Sequence, residues 1–478
     1  MPPGGPAAVT SCPCISTSPA RRRRDVPALV RVDLLIFQST VGPGAHAPGP
    51  TRVRPTCAPA VSLQEHTVKD HRRLGRDLEI YHSDPMIGAG LPLWLPAGAA
   101  ARHAIEEYVR EEERLAGYQH VYSPPLAKRQ MFARSGHLAK FADDMFPAMS
   151  DDPDAAHDDP EALMLRPSLC PHHAMVFGSR GRSYRELPVR IAELGGMYRA
   201  ERSGVVGGLS RVRAISLNDA HVFCSLDQVG AEVALVLAMC ARIHPALGFA
   251  ADGYRLSLRG PGAGYLGADA DWARAEALLR DALVRAGVPF EEAPGEAAFY
   301  GPKIDIQVRD LAGRESTLAT VQVDFAQPER FDLSYTDRDG SPARPVMVHR
   351  SIVGSMERLM AHLLEVHQGA FPAWYAPVQL AVAPVGEAQD GSARSFAEQA
   401  LRAGLRASLS LDGSLGLRIR EASQRKVPYL AVIGSREAEA GEVSLRLRDG
   451  RQLPPIPYAQ ALDLVGGAVA ARSRELAP

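Results

Sequence analysis

Hydrophobic and polar positions become periodic near His66 and stay so almost to the end of the chain. Residues 98–117 carry Ile105, Tyr108, Val109 and Leu115 on one helical stripe with glutamates around it, and Gly117 closes the pattern. Residues 119–123 read as a short strand stopped by Pro124 and Pro125. A strand from Leu165 runs into Pro167, and Cys170, Pro171, His172 and His173 then open a helix reaching Phe177. Residues 226–243 form a long apolar helix and residues 271–286 an amphipathic one. Lys303–Arg309 and residues 318–325 alternate as strands, the second with Gln322 and Asp324 on one face. Residues 346–355 pass from strand to helix, and the helix continues to about His367.

Beyond Pro372 the rhythm shortens. Strands at 378–383, 406–411 and Tyr429–Ile433 alternate with helical stretches at 395–403 and 416–424. That alternation predicts a compact α/β unit with a partly parallel sheet, and a domain boundary near residue 375.

Residues 193–224 predict strand, Gly-rich hairpin loop, strand. Arg199 and Glu201 share a face of the outgoing strand, and Asp219 and His221 share one on the return strand that Arg211 and Arg213 open. Burying that much unpaired charge is costly, so the face is either solvated or a site. Cys170, at a helix start, sits where the thiolate is favoured. Arg358, early in another helix, sits where phosphate binds readily. Arg418, Arg420, Arg425 and Lys426 make a local basic group suited to a nucleic-acid backbone, or an ordinary solvated helix face.

Composition adds limits. The 478 residues allow two or three domains, and Lys+Arg (54) nearly cancels Asp+Glu (55), so net charge neither announces nor excludes nucleic acid. Six scattered cysteines point away from a disulfide scaffold and to a reducing, cytoplasmic compartment. No run reaches the ~18 apolar residues of a membrane span. Residues 1–62 hold 11 of the 38 prolines without periodicity and are expected to be a disordered Pro/Arg-rich tail. The five aspartates within 148–161 are expected to form a solvated acidic loop, since their spacing fits no calcium site.

In order along the chain stand GLPLWLPAGA, GYQHVYSPPLAK, LRPSLCPHH, RSYRELPVRIAELGGMYRAERSG with GLSRVR and NDAHVFC, GEAAFYGPKIDI, TVQVDF, VMVHRSIVGSMER and RIREASQRKVPYLAVIG. With these segments, from about Leu74 to Ala471, the sequence resembles the threonyl-tRNA synthetases, a family of class II aminoacyl-tRNA synthetases. The resemblance implies an α/β (α+β) chain in which a class II antiparallel-sheet catalytic domain (63–375) precedes a smaller α/β anticodon-binding domain (376–478). It implies one Zn2+ per subunit on Cys170, His221 and His349, three ligands that leave a tetrahedral metal an open position. Asp219, Tyr300 and Gln322 match residues of the amino-acid pocket. Arg199, Glu201, Arg211 and Arg358 match ATP contacts, with Mg2+ on the phosphates, and Lys303 matches a contact to the adenylate. Arg199, Arg358 and Lys303 are thus the expected catalytic residues, and Glu437 and Arg446 the expected anticodon contacts. The implied reaction joins L-threonine to tRNA(Thr) through a threonyl-adenylate, in a homodimer away from membranes.

The family's small N-terminal domain and editing domain have no counterpart in these residues, so Ser-tRNA formation without cis-editing is expected. Leu217 and Asn218 replace a glutamine and an aspartate of the family's Q-D-D-A-H, Ser316 and Thr317 replace a Trp-Gln pair, and Gly207 replaces a histidine. These changes leave room for a paralogue that activates another amino acid or acceptor, or for a non-charging tRNA- or amino-acid-binding regulator.

Overall fold

The computed structural model describes residues 69–150, 152, 158–262, 264–310 and 312–476. The tail at 1–62 and most of the acidic segment at 151–157 lie outside the described residues.

Eight strands form the principal sheet. They are β1 (Gln119–His120), β2 (Val189–Tyr198), β3 (Ala214–Cys224), β4 (Gly253–Leu258), β5 (Phe290–Pro294), β6 (Lys303–Arg309), β7 (Glu315–Asp324) and β8 (Val346–Ser351). Their spatial order is β1-β2-β3-β8-β7-β6-β4-β5. The six strands from β2 to β4 pair antiparallel, and only the edge strands β1 and β5 run parallel to their neighbours. The register sets Ile191, His221, His349, Gln322, Lys303 and Ser257 directly opposite one another, in one row across six strands.

One face of this sheet is dry. Ala220, Val222, Val321 and Val348 point into a core shared with α1 (Pro96–Leu115), α3 (Val229–Leu247), α4 (Asp269–Ala286) and α5 (Met356–His367). The other face carries the site, bounded on one side by α2 (Cys170–Phe177), whose Ala174 and Phe177 pack on Val189 and Phe223. Alternation along β3 explains the split: Asp219 and His221 face the site, Ala220 and Val222 the core.

α1 begins at Pro96, two residues before the predicted start. Gly98 is required there because a Cβ would lie 2.0 Å from the Ile80 carbonyl oxygen. Ile105, Tyr108 and Val109 are buried as the stripe predicts, but Leu115 at the last turn is 65% exposed. Instead Glu112 and Glu113 turn inward. Glu113 meets the fully buried Arg350 at 2.7 Å, His120 at 2.7 Å and the Asn218 amide at 2.8 Å, which pins α1 to β8 and β3. Segment Leu226–Leu247 is long and apolar enough to cross a membrane; in this fold its apolar side lies in the core, and Glu232 on it binds Arg190.

The second sheet comprises β9 (Leu380–Pro384), β10 (Ala407–Leu409), β11 (Tyr429–Ile433), β12 (Glu442–Leu447) and β13 (Ile456–Pro457), in the order β10-β9-β11-β12-β13. β9 pairs parallel with both β10 and β11, as the alternation predicts, and the antiparallel β12 and β13 complete it. Arg418 is a correction. It is buried and donates to the carbonyls of Pro384, Leu411 and Asp412, so it holds a loop and belongs to no phosphate-binding surface. Arg420, Arg425 and Lys426 are exposed.

Candidate active site and metal centre

β2 ends at Tyr198 and β3 starts at Ala214, so Arg199, Glu201 and Arg211 lie in the hairpin loop and not on the strands predicted for them. The loop folds back over the sheet, and these side chains still line a cavity of about 430 Å3 above the central row. Cys170, Asp219, His221, Tyr300, Gln322, His349 and Arg358 line the same cavity. Lys303 lines a neighbouring one that shares Arg199, Glu201, Arg211, Tyr300 and Gln322. Residues spread over some 190 positions of sequence (roughly, and by topology alone) are thereby gathered at one place.

At one end stand Cys170, His221 and His349, all buried, with their ligand atoms within 4.8 Å of one another. Cys170 comes from the start of α2, His221 from β3 and His349 from β8. Zinc bonds of about 2.0–2.3 Å place S and N ligands at separations of this size, so the donor set fits zinc. Burial pushes the Cys170 thiol up, overriding the helix start that the sequence suggested would favour the thiolate. The Ser168 hydroxyl lies 3.2 Å from its sulfur. His137 is held down to about 3, by burial first and then by the positive charge of Arg199. Burial likewise holds His221 well below its ordinary value.

Beside the triad, Asp219 is 8% exposed and approaches His221 at 3.9 Å, and burial raises its carboxyl. Tyr300 stacks on His349 with ring centroids 4.7 Å apart and donates to Gln322 Oε1 at 2.6 Å. At the other end Arg358 is placed by the N-cap of α5, where Ser355 Oγ accepts from the Arg358 backbone N–H at 3.1 Å. Desolvation by the cavity walls, then Arg199 and Arg211, hold the Arg358 guanidinium below its ordinary value. Three clustered arginines against the single carboxylate of Glu201, bound to Arg211 at 2.8 Å, make a site suited to a polyanion. Lys303 pairs with Asp305 on the same face of β6.

Three of the sequence departures separate here. Leu217 and Thr317 line the cavity. Asn218 does not: it is buried on the opposite face of β3, where its oxygen accepts from the Ile352 N–H at 3.2 Å and its amide donates to Glu113. Its replacement of aspartate is a matter of core pairing. Glu437 and Arg446 lie in the second sheet's unit, away from this cavity. Glu437 accepts from Gly434 N at 3.1 Å and Ser444 Oγ at 2.8 Å, and Ser444 and Arg446 share one face of β12.

The residues that sequence reasoning passed over are those behind the ligands. His173 Nδ1 lies 2.7 Å from His221 Nδ1, and Asp324 Oδ2 lies 2.8 Å from His349 Nε2. Burial pushes the Glu193 carboxyl up, but hydrogen bonds from His173 and Ser123 and the charge of Arg166 prevail and hold it at about 2. The spacing of His173 three residues after Cys170, one face of a helix, was the signal available for it.

The tRNA synthetase class II core domain (G, H, P, S and T) matches residues 154–367, and an anticodon binding domain matches residues 379–466. The threonine--tRNA ligase of Halalkalibacterium halodurans is 47% identical over 388 residues, 80% of this chain and 59% of that protein. That of Listeria monocytogenes is 45% identical over 387 residues, with the same coverage of 80% and 59%. The chain thus spans 59% of the length of these relatives. A crystal structure described as the RNA binding domain of threonyl-tRNA synthetase from Cryptosporidium parvum is 33% identical, with a TM-score of 0.78, covering 85% of this chain and 99% of that one. A putative threonyl-tRNA synthetase from Aeropyrum pernix is 27% identical, with a TM-score of 0.72, covering 85% and 98%. With motifs, fold and cavity in agreement, the chain belongs to the threonyl-tRNA synthetase family of class II aminoacyl-tRNA synthetases.

Proposed function

We propose that this chain activates L-threonine with ATP and Mg2+ and transfers it to tRNA(Thr). The observation that carries the reading is the joining, in one cavity, of a Cys-His-His donor set to a cluster of three arginines, with Asp219, Tyr300 and Gln322 also lining it. Arg199 would hold the α-phosphate and stabilise charge that develops at the attacked phosphorus, and Arg358 would hold the outer phosphates. Glu201 would orient the adenine end and Arg211 the outer phosphates. Lys303 would meet the carboxylate or phosphate of the adenylate. No covalent nucleophile is required, since the amino-acid carboxylate attacks in line and positioning does the rest. Cys170, His221 and His349 would hold zinc, which when bound supplies a Lewis-acid position for the amino and hydroxyl groups of threonine. Asp219 would accept from that hydroxyl.

A boundary between a catalytic domain at 63–375 and an anticodon-binding domain at 376–478 is supported by the change of core near it: Tyr375 and Ala376 pack in the first hydrophobic cluster and Leu380 and Val382 in the second, while Ala373 already reaches the second. Glu437 and Arg446 would read splayed anticodon bases. The homodimer that the family resemblance implies is tested by light scattering. The reading as a whole is tested by amino-acid-dependent ATP–pyrophosphate exchange across a panel of amino acids. Exchange with threonine is expected. Leu217 and Thr317 in the cavity wall favour the second reading, a paralogue with another substrate, and exchange with a different amino acid alone would establish it. Exchange with none would overturn both.

A further inference from the structure

Two buried chains of hydrogen bonds converge on the metal ligands. On one side Asp324 Oδ1 accepts from the N–H groups of Ala326 and Gln327 at 2.7 and 2.9 Å, while its Oδ2 meets His349 Nε2 at 2.8 Å. On the other, Arg166 Nη2 donates to Glu193 Oε1 at 3.0 Å, Ser123 Oγ donates to Glu193 Oε2 at 2.6 Å, and His173 Nε2 lies 3.2 Å from that same Oε2. His173 Nδ1 then reaches His221 Nδ1 at 2.7 Å. Arg166, His173, Glu193 and Asp324 are all buried.

Each chain ends on a carboxylate that already accepts from other donors, so each assigns its protons in one direction. His349 must donate from Nε2 and keeps its lone pair on Nδ1. His173 must donate from Nε2 to Glu193, accepts at Nδ1, and thereby draws the proton of His221 to Nδ1. His221 Nε2 is left with a lone pair facing that of His349 Nδ1, 3.0 Å away. Two acceptors held at that distance need a cation between or beside them. We infer that His173, backed by Glu193 and Arg166, and Asp324 are positioning residues for the metal, fixing His221 Nε2 and His349 Nδ1 as the ligating atoms. The inference rests on the metal reading given above. It extends that reading to four residues that touch neither metal nor substrate, which is how outer partners set ligand tautomer and basicity.

The test is zinc affinity of the full chain, measured by competition with a chromophoric chelator. His173→Phe should weaken zinc by about 10–100-fold. His173→Gln, whose amide oxygen can accept from His221 Nδ1–H, should recover part of the loss. His172→Phe, at the adjacent buried histidine outside the chain of hydrogen bonds, should leave affinity unchanged. Glu193→Gln serves as a second variant should His173→Phe not fold, and should weaken zinc severalfold. Unaltered affinity in His173→Phe or Glu193→Gln would overturn the inference, as would equal losses in His173→Phe and His172→Phe. If the unaltered protein itself binds no zinc, the metal reading falls and this inference with it.

Discussion

At the scale of single residues, the site's selectivity rests on very few atoms. On the function proposed above, Asp219 and the Cys-His-His set would address an amine and a hydroxyl; threonine and serine carry both, valine the amine alone. Serine differs from threonine by one methyl group, worth ~1–3 kcal/mol, so this cavity alone should favour threonine over serine by only about 10–200-fold. The ratio of kcat/KM in pyrophosphate exchange measures it, and a preference above about ten-thousandfold would show a discriminating contact beyond those described. Glu193 makes a second prediction. Its carboxyl sits at about 2 in the folded protein against an ordinary 4.5. A depressed pKa stabilises the fold above the unfolded-state value, and that stability is lost as pH falls through the folded value. Glu193 therefore contributes about 3 kcal/mol near neutrality that drains away from about pH 5 toward pH 2. Urea unfolding with a chelator present should show a shallower acid dependence for Glu193→Gln than for the unaltered chain; parallel curves would refute it.

Among the elements, α5 shows how local rules place a chemical group. Ser355 caps the helix by accepting from the Arg358 N–H, and the same turn aims the guanidinium, which donates to the Thr317 carbonyl at 3.1 Å. Ser355→Ala should cost about 1 kcal/mol of stability, seen by urea unfolding, and should raise the KM for ATP as the first turn frays. An unchanged KM would mean that Arg358 is held by the cavity walls and not by the cap. Elements of this kind were legible in the sequence. Lys303–Arg309 and Tyr429–Ile433 fall where alternation puts them, and Cys170 opens its helix as Pro171 suggests. Leu115 was misjudged because buried Glu112 and Glu113 displace the apolar stripe at the end of α1, a change that only the partners Arg242 and Arg350 explain. The grouping of Cys170, His221 and His349 was legible through the family resemblance alone, because His221 and His349 lie 128 positions apart and meet only through the register of β3 and β8. The sequence places His173 and Asp324 on a helix and a strand but gives them, Arg166 and Glu193 no role, because the hydrogen bonds that link them to the ligands join residues far apart in the chain.

For the whole molecule, the stretch between the two sheets decides how independent they are. The Trp374 indole donates to the Ala246 carbonyl at 3.2 Å and meets the Tyr108 ring edge-on at 5.2 Å. From the other side, Arg406 donates to the Trp374 and Ala376 carbonyls at 2.7 and 3.0 Å. Arg472 lies over Tyr108 at 4.5 Å and pairs with Glu111. Cores tied by shared residues should unfold together, so calorimetry should show one transition for the unaltered chain and two for Trp374→Ala; two in both would mean the ties are weak. The sheet order has a consequence during synthesis. β8 lies at the centre of the sheet yet is the last of its strands in the sequence, inserting between β3 and β7. Before β8 is synthesised, β3 and β7 each lack the neighbour that β8 supplies, and His221 lacks its partner across the ladder. Unpaired strand edges recruit strands from other chains, so a chain halted between β7 and β8 should aggregate more readily than one released after β8.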